Sequence, residues 1–278
     1  MLFLLSPAKS LDYESPLPPG MARRATTPAF TTTAAELIQR LLPLAHQDVA
    51  GLMDLSDDLA ALNVARYAAW SAQANARNSR PAALAFNGDV YLGLQAGTLD
   101  AAAWTWAQSH VVILSGLYGA LRPLDRLQPY RLEMGTALAT ERGRDLYAWW
   151  GDTVAEYLNA RQPGGQSLNA RQAGARTPIL VNLASQEYFK VADRPALQGR
   201  VVDCVFEDFK SGPDGQGGQY KIISFFAKRA RGMMCRWAID NRIGAVKALR
   251  EFDVGGYAFD RRASAADRLV FRRKLDTV

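Results

Sequence analysis

Histidine and cysteine are scarce: this chain of 278 residues has two of each. Cys204 and Cys235 cannot build a disulfide framework, which points to a reducing, cytoplasmic setting. His46 and His110 stand in different helical surroundings, and neither pairs with a cysteine at metal-ligand spacing. His110, just ahead of an apolar strand, is expected to be structural. Neither a metal nor a cofactor is therefore expected. The GxSxG, Walker A and GxGxxG patterns are missing as well, which weakens the common hydrolase, kinase and dehydrogenase templates. Acid–base chemistry by Lys, Tyr, Asp or Glu stays open. No apolar run approaches the roughly 20 residues of a membrane span. The opening MLFLLSPAKS is too short and too poor in basic residues for a signal peptide, so no membrane attachment is expected.

What the chain does have is an apolar share of 49%, enough for a substantial core, and a net charge of +6. That charge is unevenly spread. Residues 228–278 hold 13 Lys and Arg against 6 Asp and Glu, so the remainder of the chain is close to neutral. Concentrated positive charge suggests an anionic partner such as nucleic acid, nucleotide or phosphate, although a plain basic surface has the same composition.

The richest stretch is 111–135, VVILSGLYGALRPLDRLQPYRLEMG. It opens as a buried strand, Val111 to Leu114, then runs through Ser115, Tyr118, Arg122, Asp125, Tyr130, Arg131 and Glu133. A loop so dense in polar groups at a strand end is a candidate ligand wall, or else a stiff connection whose charges pair internally. Leu2 to Leu5 predicts another buried strand, with Ser6 and Lys9 at its end, where α/β proteins place ligand groups. Residues 13–33 predict an irregular arm. Helices are predicted over Glu36–Ala45, over 47–54, and from an N-cap at Ser56 to about Trp70 with Leu59 and Leu62 inward. Ala82–Phe86 predicts a strand closing on Gly88 and Asp89, the latter an acid–base candidate or a helix cap. Helices follow over Asp100–Gln108 and within Glu141–Asn159, with Trp149 and Trp150 in the core. Strands follow at Ile179–Leu183, with Asn182, Ser185 and Glu187 at its end, and at Val201–Phe206, Tyr220–Phe226, Gly256–Asp260 and Leu269–Arg273. LNARQ occurs at 158–162 and again at 168–172, which predicts an exposed, functionless, mobile insertion at about 160–177. Interleaved strands and helices, with hairpins late in the chain, predict one mixed-sheet α/β domain of non-standard topology over residues 1–278.

At 100° per residue, 226–242 forms a divided helix. Phe226, Ala227, Ala230, Met233, Met234 and Trp237 occupy an apolar arc. Lys228, Arg229, Arg231, Arg236 and Arg242 occupy the other, with Ile239 a lone apolar intruder and Asp240 the one acid. Such a basic arc could follow several phosphates.

Six stretches together resemble the bacterial YaaA peroxide-stress family: LSPAKSLDY (5–13), FNGDVYLGL (86–94), LSGLYGALRPLDRLQPYRLEMG (114–135), WGD (150–152), NLASQEYF (182–189) and KIISFFAKRARGMM (221–234). The resemblance implies protection against hydrogen peroxide by limiting free intracellular iron and the DNA damage it feeds. It implies a DNA-binding protein with a non-standard α/β fold, surrounding helices, a positively charged cleft and a helix-hairpin-helix-like element. Ser6, Lys9, Arg122, Arg131, Lys228 and Arg231 become cleft candidates by that likeness. The hairpin element falls best on 47–70, whose turn at Leu55-Ser56 lacks hairpin glycines. With no metal cluster to store iron, its effect on iron is expected to be indirect.

Two functions follow as expectations. One is a cytosolic DNA-binding protein that holds phosphates through Lys9, Arg122, Arg131, Lys228, Arg229, Arg231 and Arg236 with little base reading. The other is an enzyme acting on a nucleotide or phosphorylated small molecule, using Ser6, Asp89, Ser115, Tyr118, Glu133, Asn182, Ser185 and Glu187. The second requires the strand ends near residues 5, 86, 114 and 183 to converge on a deep pocket.

Overall fold

A computed structural model describes residues 1–162, 177–212 and 217–274. Their centre is an eight-stranded mixed sheet. Its strands are β1 (Leu2–Leu5), β2 (Val111–Ser115), β3 (Gly119–Leu121), β4 (Ile179–Leu183), β5 (Arg200–Ser211), β6 (Gly218–Lys221), β7 (Ala258–Phe259) and β8 (Arg268–Arg273). The order across the sheet is β7-β8-β5-β4-β1-β2-β3, and β6 pairs with the far end of β5. β8, β5, β4, β1 and β2 run parallel, while β3, β6 and β7 are antiparallel additions.

Sequence patterning explains the layering. β1 and β2 are continuous apolar runs, buried at every position, as befits strands covered on both faces. β5 alternates, sending Val202, Cys204, Phe206 and Asp208 inward. Asp208 is tolerated there because Arg273 (2.7 Å) and the Tyr257 hydroxyl (2.8 Å) bond its carboxylate.

The helices are α1 (Thr31–Leu41), α2 (His46–Met53), α3 (Asp57–Ala69), α4 (Asp89–Leu94), α5 (Ala101–His110), α6 (Leu146–Trp150), α7 (Thr153–Arg161), α8 (Gln186–Phe189) and α9 (Ser224–Asp240), with shorter turns between. Several differ from expectation. α1 starts at Thr31 and Met21–Arg24 is a helical turn, so the irregular arm is shorter than 13–33. Leu59 and Leu62 face outward; Ala60, Asn63 and Tyr67 form the inner face of α3. Ala82–Ala85 is a helical turn between two-residue strands, because Ala82 and Ala83 donate to the Asp125 and Pro123 carbonyls rather than to a long strand. The helix expected within Glu141–Asn159 is two, α6 and α7, separated at Gly151, which takes φ 49. β6 ends at Lys221, short of Phe226, and α9 begins at Ser224.

The first LNARQ copy is not an exposed loop. Leu158 is buried in α7, Asn159 bonds Ala196 O and Gln198 N, and Arg161 bonds the Gln108 and Ser109 carbonyls. The second copy lies outside the described residues. His110 stacks on Trp106 at 4.1 Å and bonds its carbonyl through Nδ1. Burial lowers its pKa. No helix of the described residues is long and apolar enough to cross a membrane.

Candidate functional site

β1 leads to β2 on one side, and β4, on the other side of β1, leads away to β5. Adjacent strands whose connections leave in opposite directions open a crevice at their carboxyl ends. A cavity of about 350 Å³ lies there.

Five separated segments build it. After β1 come Ser6, Pro7, Ala8, Lys9 and Ser10; from the head of α4 come Asn87, Gly88, Asp89 and Val90. The loop after β3 supplies Tyr130, Arg131, Leu132 and Glu133, while Ser185, Glu187 and Tyr188 follow β4. Lys228 and Arg231 arrive on α9. Their meeting depends on two glycines. A Cβ on Gly93 would collide with the Arg229 carbonyl oxygen, and one on Gly232 with the Val90 carbonyl oxygen. Backbone-to-backbone packing of α4 on α9 therefore requires glycine at both positions. That seam carries Asp89 and the α9 cations to the same opening.

Local bonds set the wall. Ser185 N donates to Ser6 Oγ (2.8 Å), pinning the two strand ends together. The Tyr91 hydroxyl donates to Ser6 O (3.1 Å) from α4. Glu133 is gripped twice, by Lys9 Nζ (2.8 Å) and by Arg131 Nη2 (2.9 Å). The Tyr67 hydroxyl bonds the Arg131 carbonyl and so ties this loop to α3. Gly135 N donates to Glu187 Oε1 (3.1 Å). Asp89 is the first residue of α4 and Gly88 occupies the N-cap position. The acid thus sits in the first turn, where the helix dipole favours negative charge.

The expected site residues separate into groups. Ser6, Lys9, Asp89, Arg131, Glu133, Ser185, Glu187, Lys228 and Arg231 line the one cavity. Arg122 does not: it forms an ion pair with the fully buried Asp125 (2.8 Å) and donates to Thr27 O (2.9 Å). Ser115 and Tyr118 are buried behind the wall. Ser115 Oγ lies 2.6 Å from the Tyr130 hydroxyl and accepts from Tyr118 N, while the Tyr118 hydroxyl accepts from Trp70 Nε1 (2.8 Å). The strand end at 114–115 is accordingly not part of the cavity lining, unlike those near 5, 87 and 185. Burial pushes the Tyr118 phenol up to about 12 and also raises Tyr91, Tyr130 and Tyr188, so all four are neutral at ordinary pH.

The basic arc of α9 also divides. Lys228 and Arg229 are exposed. Arg236 is tied to Asp240 (2.8 Å), Gln95 O and Thr98 Oγ1. Arg242 lies past the helix end at φ 53, and Ile239 is buried rather than on the basic face. Arg231 points inward, half-buried, with an Nε that has no partner among the described residues. Burial lowers its pKa, opposed by Asp203 and Cys204. It is shared with a second cavity of about 880 Å³, which also contains Asn182, Asp203, Phe189 and Ile222. Asn182 is held there by Asp203 Oδ1 (2.8 Å).

Tyr130, already named in the 111–135 stretch, lines the cavity, and so do Tyr188 and Asn87, which lie at strand ends but were not site candidates. Both adjoin polar segments that held candidates, and that adjacency was the available signal. Residues 47–70 do form two helices joined at Asp54, which takes φ 51. That segment holds Asp48, Asp54, Asp57 and Asp58 against Arg66, an unfavourable balance for gripping phosphate. Among the described residues no group of three or more His, Cys, Asp or Glu could hold a metal ion.

Comparison with known proteins adds a family. The chain is 62% identical over 273 residues to a UPF0246 protein of Leptothrix cholodnii, covering 98% of each chain. It is 59% identical to a UPF0246 protein of Paracidovorax citrulli, covering 99% of each, and 57% identical to UPF0246 protein Bpet1601 of Bordetella petrii, covering 99% of this chain and 100% of that one. The family model described as peroxide stress protein YaaA matches residues 1–263, and with nearly full-length relatives beside it, the chain belongs to that family.

Proposed function

We propose that this protein is a cytoplasmic DNA-binding member of the peroxide-stress response, protecting DNA and acting indirectly to limit free iron. The observation that carries the reading is the convergence of Lys9, Arg131, Lys228 and Arg231, from three distant parts of the chain, on one cavity rim. Cations brought together from separate segments, with exposed Arg229 beside them, suit a row of phosphates. Two buried, free cysteines accord with a reducing compartment. Base reading contributes little, and phosphate contact supplies most of the affinity.

A salt titration of duplex binding tests this. Contacts by the four rim cations and Arg229 give a log–log slope of about −4 to −5, at roughly −0.9 per phosphate. The Lys228→Ala/Arg229→Ala double variant is expected to flatten that slope by about two. Wild-type affinity and slope in this variant would sink the reading.

One observation favours a second reading. Asp89, Glu133 and Glu187 share the cavity with the cations, more acid than phosphate gripping requires. An enzyme acting on a nucleotide or phosphorylated small molecule would use that mixture, with Asp89 as acid or base. It predicts that Asp89→Ala abolishes turnover of such a compound while DNA affinity holds.

A further inference from the structure

At the joint between β6 and α9, Ile222 and Phe225 stand 56% and 55% exposed. Large apolar groups this open cost free energy unless something covers them. Their surroundings indicate what does. Lys228 and Arg229 lie three and four residues beyond Phe225 on α9, hence on the same face. Both are exposed, and neither pairs with an acid among the described residues. Lys228 borders the first cavity and Ile222 the second. Behind it the Phe225 ring packs on Phe226 at 4.1 Å between centroids, and the Arg273 guanidinium lies 4.7 Å over Phe226. Phe225 is therefore backed by a braced aromatic layer while its outer side is open.

We propose that Ile222 and Phe225 form a wedge that enters a base step of DNA whose phosphates are held by Lys228 and Arg229. This rests on the DNA-binding reading above. Apolar side chains projecting from a cationic rim are suited to part stacked bases, because the cations hold the backbone while the ring replaces the lost stacking. The charge argues against a second copy as occupant: a two-fold contact through this patch would set Lys228 and Arg229 against their own counterparts.

A duplex carrying 2-aminopurine, which brightens when unstacked, tests the wedge. Wild type is expected to brighten the probe. Phe225→Ala should bind roughly tenfold more weakly, without brightening, and with the salt slope intact, since a stacking contact and no phosphate contact is lost. Phe225→Trp should restore the signal. Lys228→Ala should instead flatten the salt slope by about one. Brightening by bound Phe225→Ala equal to wild type overturns the wedge and leaves DNA binding standing. So does a wild-type dimer, seen in sedimentation, that Phe225→Ala converts to monomer. Absence of any duplex binding by wild type at low salt overturns both readings together.

Discussion

Arg122 and Arg131 lie nine residues apart in one loop, and each is paired with an acid two or three residues further on. Their settings differ completely. Asp125 is fully buried and accepts from Arg122 N (2.7 Å), Arg122 Nη2 (2.8 Å) and Thr26 Oγ1 (2.7 Å). That knot joins the loop to the 26–27 segment and offers nothing to a ligand. Glu133 accepts from Arg131 and from a largely exposed Lys9, and all three line the cavity. Two pairs that look alike on paper thus serve stability in one case and an open site in the other. Burial of the acid decides which, since a carboxylate taken out of water must keep every bond it has.

The sharpest break of the comparison is Asp125→Ala. It leaves the Arg122 guanidinium and a buried N–H unmatched, and about 3–5 kcal/mol of stability should be lost in urea denaturation. DNA affinity of the folded fraction should not change. Arg131→Ala should cost less, about 1–2 kcal/mol, since Glu133 keeps Lys9. Its signature is instead a salt slope of DNA binding shallower by about one. A large stability loss with an unchanged slope would make the two arginines equivalent and erase the distinction.

Glu133→Gln is expected to change stability by no more than about 1 kcal/mol, because Lys9 is mostly exposed and its pair is screened. It should tighten DNA binding about fivefold, as Lys9 and Arg131 lose their internal competitor, a gain of ~1 kcal/mol. Weaker binding would show that Glu133 positions these cations and does not compete for them. The last expected effect is nil at neutral pH. Tyr118 is a folded-state phenol raised by burial to about 12 from an ordinary value near 10. Its contribution is complete below pH 10 and is lost as pH rises from about 10 through 12, because the unfolded chain ionises first. Tyr130 and the other buried phenols act in the same direction. Alkaline unfolding followed by tyrosinate absorbance should therefore begin near pH 10; ionisation of all phenols without unfolding would contradict their burial.

Much of the architecture was legible. Leu2–Leu5 and Val111–Leu114 read as buried strands because strands covered on both faces are uninterrupted apolar runs, and Ile179–Leu183 read as a strand despite its Asn182. The end of β1, with Ser6 and Lys9, was a candidate because α/β proteins place ligand groups at strand ends. Ala82–Phe86 misled because its apolar run is just as buried, yet its N–H groups meet carbonyls of the 123–125 segment instead of a neighbouring strand. Leu59 and Leu62 misled because α3 buries Ala60, Asn63 and Tyr67, and Asn63 is content there by bonding Leu59 O (2.7 Å).

By itself the sequence determined a mixed α/β fold, a cationic C-terminal stretch, the lack of His and Cys metal motifs, and the strand ends where ligand groups gather. These are properties of local pattern and composition, written at spacings of two to four residues. Tertiary structure alone decided which cations face one another. Gly93 and Gly232 let α4 and α9 touch backbone to backbone, and that contact brings Asp89, Lys228 and Arg231 to the β1 and β4 ends. Arg236 and Arg122 each pair with an acid four or three residues on in their own segment, and packing adds the bonds to Gln95, Thr98 and Thr27 that hold both away from the cavity lining. A charged side chain's partner is set by what packs within a few ångströms of it, and long-range packing is not encoded in the spacing of its own segment.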